Sequence, residues 1–187
     1  MNLILIGPPG AGKGTQAKYL VKKLNNFQIS TGDILREEIQ KNSDIGRKIL
    51  NDMNEGRFVS DQIVNTLIEN VLLDPKKKNR LIFDGYPRSL TQAKNLEHLL
   101  VKTSQTIDFI FFLNVNKETI INRIKQRKII EKRADDDLET TIKRYETYMD
   151  TTKPVLDFYS QNSNFYEIDG SCKIEEITSK IDNFLNV

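Results

Sequence analysis

Five short stretches of the chain are almost continuously apolar: "NLILI" at 2–6, "FQIS" at 27–30, "LIFD" at 81–84, "FIFFLNV" at 109–115 and "FYEID" at 165–169. Runs this short and this apolar suit strands buried on both faces of a sheet. The segments between them change period. Ala17, Leu20, Val21 and Leu24 share one helical face, as do Ile63, Leu67 and Val71, and then Ala93, Leu96 and Leu100. Ile120, Ile121 and Ile124 mark a further helix, and Ile142, Tyr145 and Met149 a long one disturbed at Pro154. Ile174, Ile177, Ile181 and Leu185 mark the last. Strand and helix alternate throughout, which predicts an α/β fold: a parallel sheet flanked by helices with right-handed crossovers. Residues 31–59 and 126–137 fit this plan poorly. The first holds helical pieces without a convincing strand, and the second is short and charged. Both read as insertions over the carboxyl edge of the sheet, where open α/β sheets bind ligands. No internal repeat and no linker is visible.

The first strand runs directly into "GPPGAGKGT" at 7–15. A plain tight turn does not need Gly7, Gly10, Gly12 and Gly14 at such short, fixed gaps with Lys13 opening the next helix. A phosphate cradle does. Glycines let consecutive N–H groups point inward at anionic oxygens, and the helix N-terminus adds the positive end of its dipole. Lys13 brings a point charge to the β- and γ-phosphates, and Thr15 can place its hydroxyl near Mg²⁺. The strict G-x-x-x-x-G-K-[ST] spacing is broken, because Gly14 stands at the Ser/Thr position and Thr15 comes one residue later.

Composition removes several other functions. The net charge of +2 is too small to suggest a nucleic-acid or membrane surface, and "KKK" at 76–78 reads as a solvated loop. One cysteine, Cys172, and one histidine, His98, exclude an internal disulfide and a four-cysteine zinc site. No apolar segment approaches the length of a membrane span, and Gly7, Pro8 and Pro9 interrupt the first apolar run where a signal peptide would continue. A reduced, soluble, cytoplasmic protein is expected. A guanine-nucleotide switch would need Asp where "VNKET" at 115–119 has Thr119, so Asn116 and Lys117 read as a helix start. A P-loop motor would need a residue to position an attacking water, and none stands out.

The glycine loop resembles that of nucleoside monophosphate kinases, the adenylate kinase family above all, and further motifs carry the resemblance along nearly the whole chain. "STGDILR" at 30–36 is similar to the segment that opens the AMP-binding insertion, which implies that Thr31 contacts the adenine and Arg36 the AMP phosphate. "EGRFVSD" at 55–61 is similar to its end, where backbone around Arg57, Phe58 and Val59 lines the base pocket. "FDGYPRSLTQA" at 83–93 matches the family signature. There the resemblance implies that Gly85, Tyr86 and Pro87 line the AMP site, that Arg88 holds the AMP phosphate and that Gln92 hydrogen-bonds the adenine. It also implies a cis Tyr86–Pro87 bond that aims Arg88 into the site, and an Asp84 that holds Mg²⁺ through water. "RADDD" at 133–137 and "IKRYETY" at 142–148 resemble the exit of the lid and the following helix, with Arg127 over the ATP phosphates and Arg133 and Arg144 reaching towards AMP. "DGSCK" at 169–173 is similar to the late loop whose backbone touches the ATP adenine near Cys172.

The arginines argue independently. The chain holds nine Arg against nineteen Lys, yet Arg88, Arg123, Arg127, Arg133 and Arg144 all fall in these segments. Arg123 and Arg127 are one helical turn apart on one face. Phosphoryl transfer needs planar, bidentate donors on several oxygens at once, which Arg supplies and Lys does not.

The resemblance implies a P-loop core of residues 1–29, 60–125 and 137–187, an AMP-binding insertion at 30–59, and a short lid at 126–136 with no room for a zinc site. It implies reversible transfer from ATP–Mg²⁺ to AMP, giving two ADP, by a monomer with no nucleic-acid or membrane partner. ATP would lie against Gly10, Ala11, Gly12, Lys13, Gly14, Thr15, Arg123, Arg127 and the Cys172 region. Lys13, Arg88, Arg123, Arg127, Arg133 and Arg144 would carry catalysis. Two alternatives differ: a UMP/CMP kinase, in which Ala usually stands at the Thr31 position and Asn at that of Gln92, and a regulatory nucleotide-binding protein with dead catalysis, which would not need the full arginine set.

Overall fold

The structure, a computed structural model, describes residues 1–131 and 137–186. Five parallel strands, β1 (Leu3–Ile6), β2 (Phe27–Ser30), β3 (Leu81–Asp84), β4 (Phe109–Asn114) and β5 (Phe165–Asp169), form one sheet in the order β2-β3-β1-β4-β5. The helices are α1 (Lys13–Leu24), α2 (Thr31–Gln40), α3 (Asp44–Asn54), α4 (Asp61–Leu72), α5 (Leu90–Lys102), α6 (Lys117–Glu131), α7 (Leu138–Thr151), α8 (Lys153–Tyr159) and α9 (Ile174–Leu185). The expected helix-flanked parallel sheet is therefore present.

Side chains alternate across each strand and divide the core in two. Leu3 and Leu5 pack with Ala17, Leu20, Ile120, Ile177 and Ile181 on one face. Ile4 and Ile6 pack with Ile68, Leu96, Val155 and Tyr159 on the other. The central strands β1 and β3 are fully buried, whereas the edge strands are not: Phe27 on β2 is 37% exposed and Phe165 and Tyr166 on β5 are half-buried. Double-sided burial thus holds only where a strand has neighbours on both sides.

Two helical faces differ from the periodicity reading. On α4 the buried column is Val64, Ile68 and Leu72, with Ile63, Leu67 and Val71 half-buried beside it, because the apolar stripe is two columns wide. On α7 Tyr148 is buried and Met149 is exposed. The break at Pro154 is as expected: α7 ends at Thr151, and α8 restarts with the proline in its first turn, where its missing N–H leaves no helical bond unmade.

Chain connections leave β1 in both directions, to β2 and β3 on one side and to β4 and β5 on the other. The segment after β1 thus emerges at the point where the strand order reverses, the usual ligand crevice of such sheets. Residues 31–54 contribute α2 and α3, each started by a serine: Ser30 accepts from the Asp33 N–H and Ser43 from the Gly46 N–H. These helices cross so closely that a Cβ on Gly46 would stand 2.1 Å from the Glu38 carbonyl oxygen. Residues 126–131 continue α6. Asn116 accepts from the Thr119 N–H and so caps the start of α6, the helix-start role read from "VNKET".

Candidate active site

Residues 7–12 join β1 to α1. Gly10 (φ +81°) and Gly12 (φ +93°) hold left-handed conformations that a side chain would strain, and a Cβ on Gly10 would also press within 3.0 Å of Ile124. At the start of α1 the Lys13 ammonium folds back, donating to the carbonyls of Gly7 at 2.7 Å and Pro8 at 2.9 Å. The loop therefore holds its own cation in place. Withdrawal from water lowers the Lys13 pKa to about 8; Arg88, Arg144 and Arg127 push the same way, and Asp84 opposes them.

Asp84 ends β3 as a buried carboxylate. It accepts from Gln28 Nε2 at 2.8 Å, and its Oδ2 faces the first turn of α1, 3.5 Å from where a Cβ would stand on Gly14. Next to it the Gly85 carbonyl receives two donors, Thr31 Oγ1 at 2.8 Å and Arg88 Nε at 2.6 Å. The Tyr86–Pro87 bond is cis. Burial raises the Tyr86 hydroxyl to about 12, partly offset by Asn95, so it stays a neutral donor to Asn65.

Arg88 is held at several points. Its N–H donates to Gln92 Oε1 at 2.7 Å, its carbonyl accepts from Thr152 Oγ1 at 2.9 Å, and its guanidinium lies over the Phe58 ring. Gln92 is 2% exposed, and its Nε2 donates to Asp61 at 2.7 Å. Thr31 and Gln92 thus stand buried, one hydrogen bond away from Gly85 and Arg88. Arg36 pairs with Asp33 one turn earlier on α2. The Arg57 side chain turns outward to Asp52 and Glu55, leaving only its backbone to line a pocket, and Val59 is buried in the core. Arg123 reaches the Cys172 carbonyl at 3.4 Å. Arg144 packs its stem beside Gly56. Arg133 lies outside the described residues.

One cleft of about 450 Å³ has walls that include residues 9–16, Arg36, Asp84, Gly85, Arg88, Arg123, Arg127 and Arg144; Thr31, Arg57, Val59, Gln92 and Cys172 are not among its lining. A recess beside it is lined by Lys13, Phe58, Arg88, Arg144, Tyr148 and Thr152. Five arginines and two lysines, Lys13 and Lys18, around one opening and drawn from several chain segments make a site built for more negative charge than one phosphate carries. Among the described residues no group of three or more His, Cys, Asp or Glu converges on a metal-holding cluster. Asp84 and the Thr15 hydroxyl, both lining the cleft, fit a hard cation bound mainly by phosphates and water. Sequence reasoning missed Gln28, Asp61 and Thr152. Each bonds to another residue of the site, and a neutral amide, an acid or a hydroxyl carries no sequence signal until its partner is known.

A family model described as adenylate kinase matches residues 5–164. The chain is 49% identical to an adenylate kinase of Pelagibacter ubique (strain HTCC1062), with both chains covered in full and an alignment of 213 positions against this chain's 187. It is 38% identical to an adenylate kinase of Mycoplasma capricolum, again over the whole of both. It is 40% identical to one from Caulobacter sp. (strain K31) over 187 positions, covering all of this chain and 99% of that protein.

Proposed function

The chain belongs to the adenylate kinase family and is an ATP:AMP phosphotransferase, and we propose how its own residues divide that work. The observation that carries the proposal is the single cleft in which Lys13 and the glycine loop face Arg88 and Arg144. On one side the loop N–H groups, Lys13, Arg123 and Arg127 take the ATP phosphates, with the backbone near Cys172 beside the adenine. On the other, Arg36, Arg88 and Arg144, with Arg133, take the AMP phosphate. Thr31, Gln92 and the backbone of residues 57–59 and 85–87 receive the base.

An oxygen of the AMP phosphate attacks the γ-phosphorus of ATP in line. A new P–O bond forms as the bond from the γ-phosphorus to the β–γ bridging oxygen breaks, leaving two ADP. The nucleophile is already anionic, so no side-chain base is needed. The protein must bring two anions together and offset charge as the phosphoryl group moves. The arginines around the cleft supply that offset. Before ATP arrives, the Gly7 and Pro8 carbonyls hold Lys13 in place, and phosphate oxygens then replace them. Mg²⁺, when bound with ATP, would supply charge neutralisation at the phosphates, and Asp84 and Thr15 are the residues that would hold it.

Residues 30–59 act as an AMP-binding unit and 126–136 as a short lid on a core of 1–29, 60–125 and 137–187. Among the described residues no helix is long and apolar enough to cross a membrane. A cytoplasmic monomer acting on ATP, AMP and ADP, without nucleic acid, is the proposed setting. The test is a panel of ATP with AMP, CMP, UMP or GMP, following diphosphate formation. AMP should be the preferred acceptor by at least about tenfold in kcat/KM, and equal use of CMP or UMP would overturn the assignment of Thr31 and Gln92.

A further inference from the structure

We infer that Asp61, at the start of α4, is a positioning residue for the reaction: it fixes the Gln92 amide, and through it the backbone of Arg88. Asp61 Oδ1 accepts from Gln92 Nε2 at 2.7 Å, and Oδ2 accepts from Ser89 Oγ at 2.8 Å. Ser89 Oγ in turn caps α5 by accepting from the Gln92 N–H at 3.1 Å. Gln92 Oε1 accepts from the Arg88 N–H at 2.7 Å.

The polarity of this chain of bonds has one solution. The Arg88 backbone N–H can only donate, so it demands the oxygen end of the Gln92 amide. An ionised carboxylate can only accept, so Asp61 demands the nitrogen end. A flipped amide would set N–H against N–H at Arg88 and oxygen against carboxylate at Asp61, both around a side chain that is 2% exposed. The signature loop carrying Arg88 is therefore tied to the first residue of the helix that follows the proposed AMP-binding unit. The contacts with Gly85 and Phe58 hold the guanidinium end of Arg88 instead, and Thr152 holds its carbonyl.

The inference rests on the reading of Arg88 as the clamp on the acceptor phosphate. It is tested by reversing the polarity of the pair. Gln92→Glu alone sets two carboxylates face to face and should lower kcat at saturating nucleotides by about tenfold or more. Adding Asp61→Asn restores a donor opposite a carboxylate. The new carboxylate at position 92 would accept from both the Arg88 N–H and the new amide at position 61, and the oxygen of that amide would still accept from Ser89. The double variant should recover kcat to within about threefold of the parent, with the KM for ATP unchanged throughout and the thermal midpoint restored. The KM for AMP separates the two readings. If it stays raised while kcat recovers, Gln92 also serves the base as a donor. If it too returns to the parent value, the base contact is wrong and the positioning role stands. A folded double variant that shows no recovery of kcat, or a double variant no more stable than Gln92→Glu, overturns the role of Asp61. Arg88→Lys, run in parallel, reports on the underlying reading, because full turnover there would remove the clamp itself.

Discussion

The guanidinium carbon of Arg88 lies 5.0 Å from the centre of the Phe58 ring. One residue belongs to the loop after β3 and the other to the segment that leads from α3 into α4. The contact lays a flat cation on a flat π-face at the wall of the cleft, while Arg88 Nε donates to the Gly85 carbonyl. Arg88→Lys keeps a charge but loses both the stacking and the fork, and should cost about 2–4 kcal/mol of transition-state stabilisation. Phe58→Leu removes only the ring face and should cost about 0.5–2 kcal/mol in kcat/KM for AMP. Steady-state kinetics on both, with circular dichroism to confirm folding, checks the order; a Lys variant at parent turnover would refute it.

Lys13 gives a dependence on pH. Its folded-state pKa, about 8, lies below the ordinary 10.5. Between those values the unfolded chain binds more protons than the folded one, so this group makes stability rise with pH across the window, and the gain is lost as pH falls through about 8. For binding the sign is opposite, since the free enzyme loses the ammonium above about 8. The kcat/KM for ATP should therefore decline above that pH, while kcat at saturating ATP persists to higher pH because bound phosphates restore the proton. Parallel pH profiles of the two parameters test this, and coincident profiles would count against Lys13 as the titrating group.

Thr31 and Gln92 are expected to select adenine. Replacing Thr31 by Ala and Gln92 by Asn together should weaken AMP relative to CMP and UMP, by about 1–3 kcal/mol for each buried hydrogen bond lost. Acceptor competition assays on the double variant report the ranking directly, and an unchanged ranking would place base selection elsewhere.

Mg²⁺ should be the metal the reaction needs. Chelation should abolish turnover, and Mg²⁺ alone should restore it, since one carboxylate and one hydroxyl cannot retain a metal without the phosphates. Elemental analysis of protein purified without added metal should find no stoichiometric zinc; tightly held zinc would overturn the expectation.

Residues 30–59 and 126–136 should close over bound nucleotides, excluding water from the γ-phosphate and completing the arginine set. Two adenosines joined by five phosphates should hold both segments shut. Hydrogen exchange with and without that compound should show new protection in each. Protection confined to residues 7–15 would sink the closing reading.

Much of this was legible in the sequence because it rests on short-range constraints. A buried central strand such as β1 must be apolar on both faces, and a phosphate cradle must carry glycine where φ is positive, so both leave marks at fixed spacing. The exposure of the edge strands and the exact buried column of α4 did not, because they depend on which neighbour covers which face. The same holds within the site. Arg88 is visible in "DGYPR", but nothing in "EGRFVSD" shows that Asp61 will meet Gln92 across 31 positions of chain. Thr152 meets the Arg88 carbonyl across 64. Charged groups that touch substrate leave motifs, whereas the groups that hold them in place are chosen by tertiary packing.

The crossing of α2 and α3 at Gly46 bears on where movement can occur. Close to the turn that joins them, backbone is set against backbone with no room for even a methyl group, so the two helices cannot slide past one another there. On closure the pair should therefore turn together, with the bending expected at its two seams, Ser30–Thr31 on one side and the stretch from Glu55 to Ser60 on the other. Gly56, at φ +72° and packed against Thr140 and Arg144, lies in the second seam, so closure there would have to loosen its contact with α7.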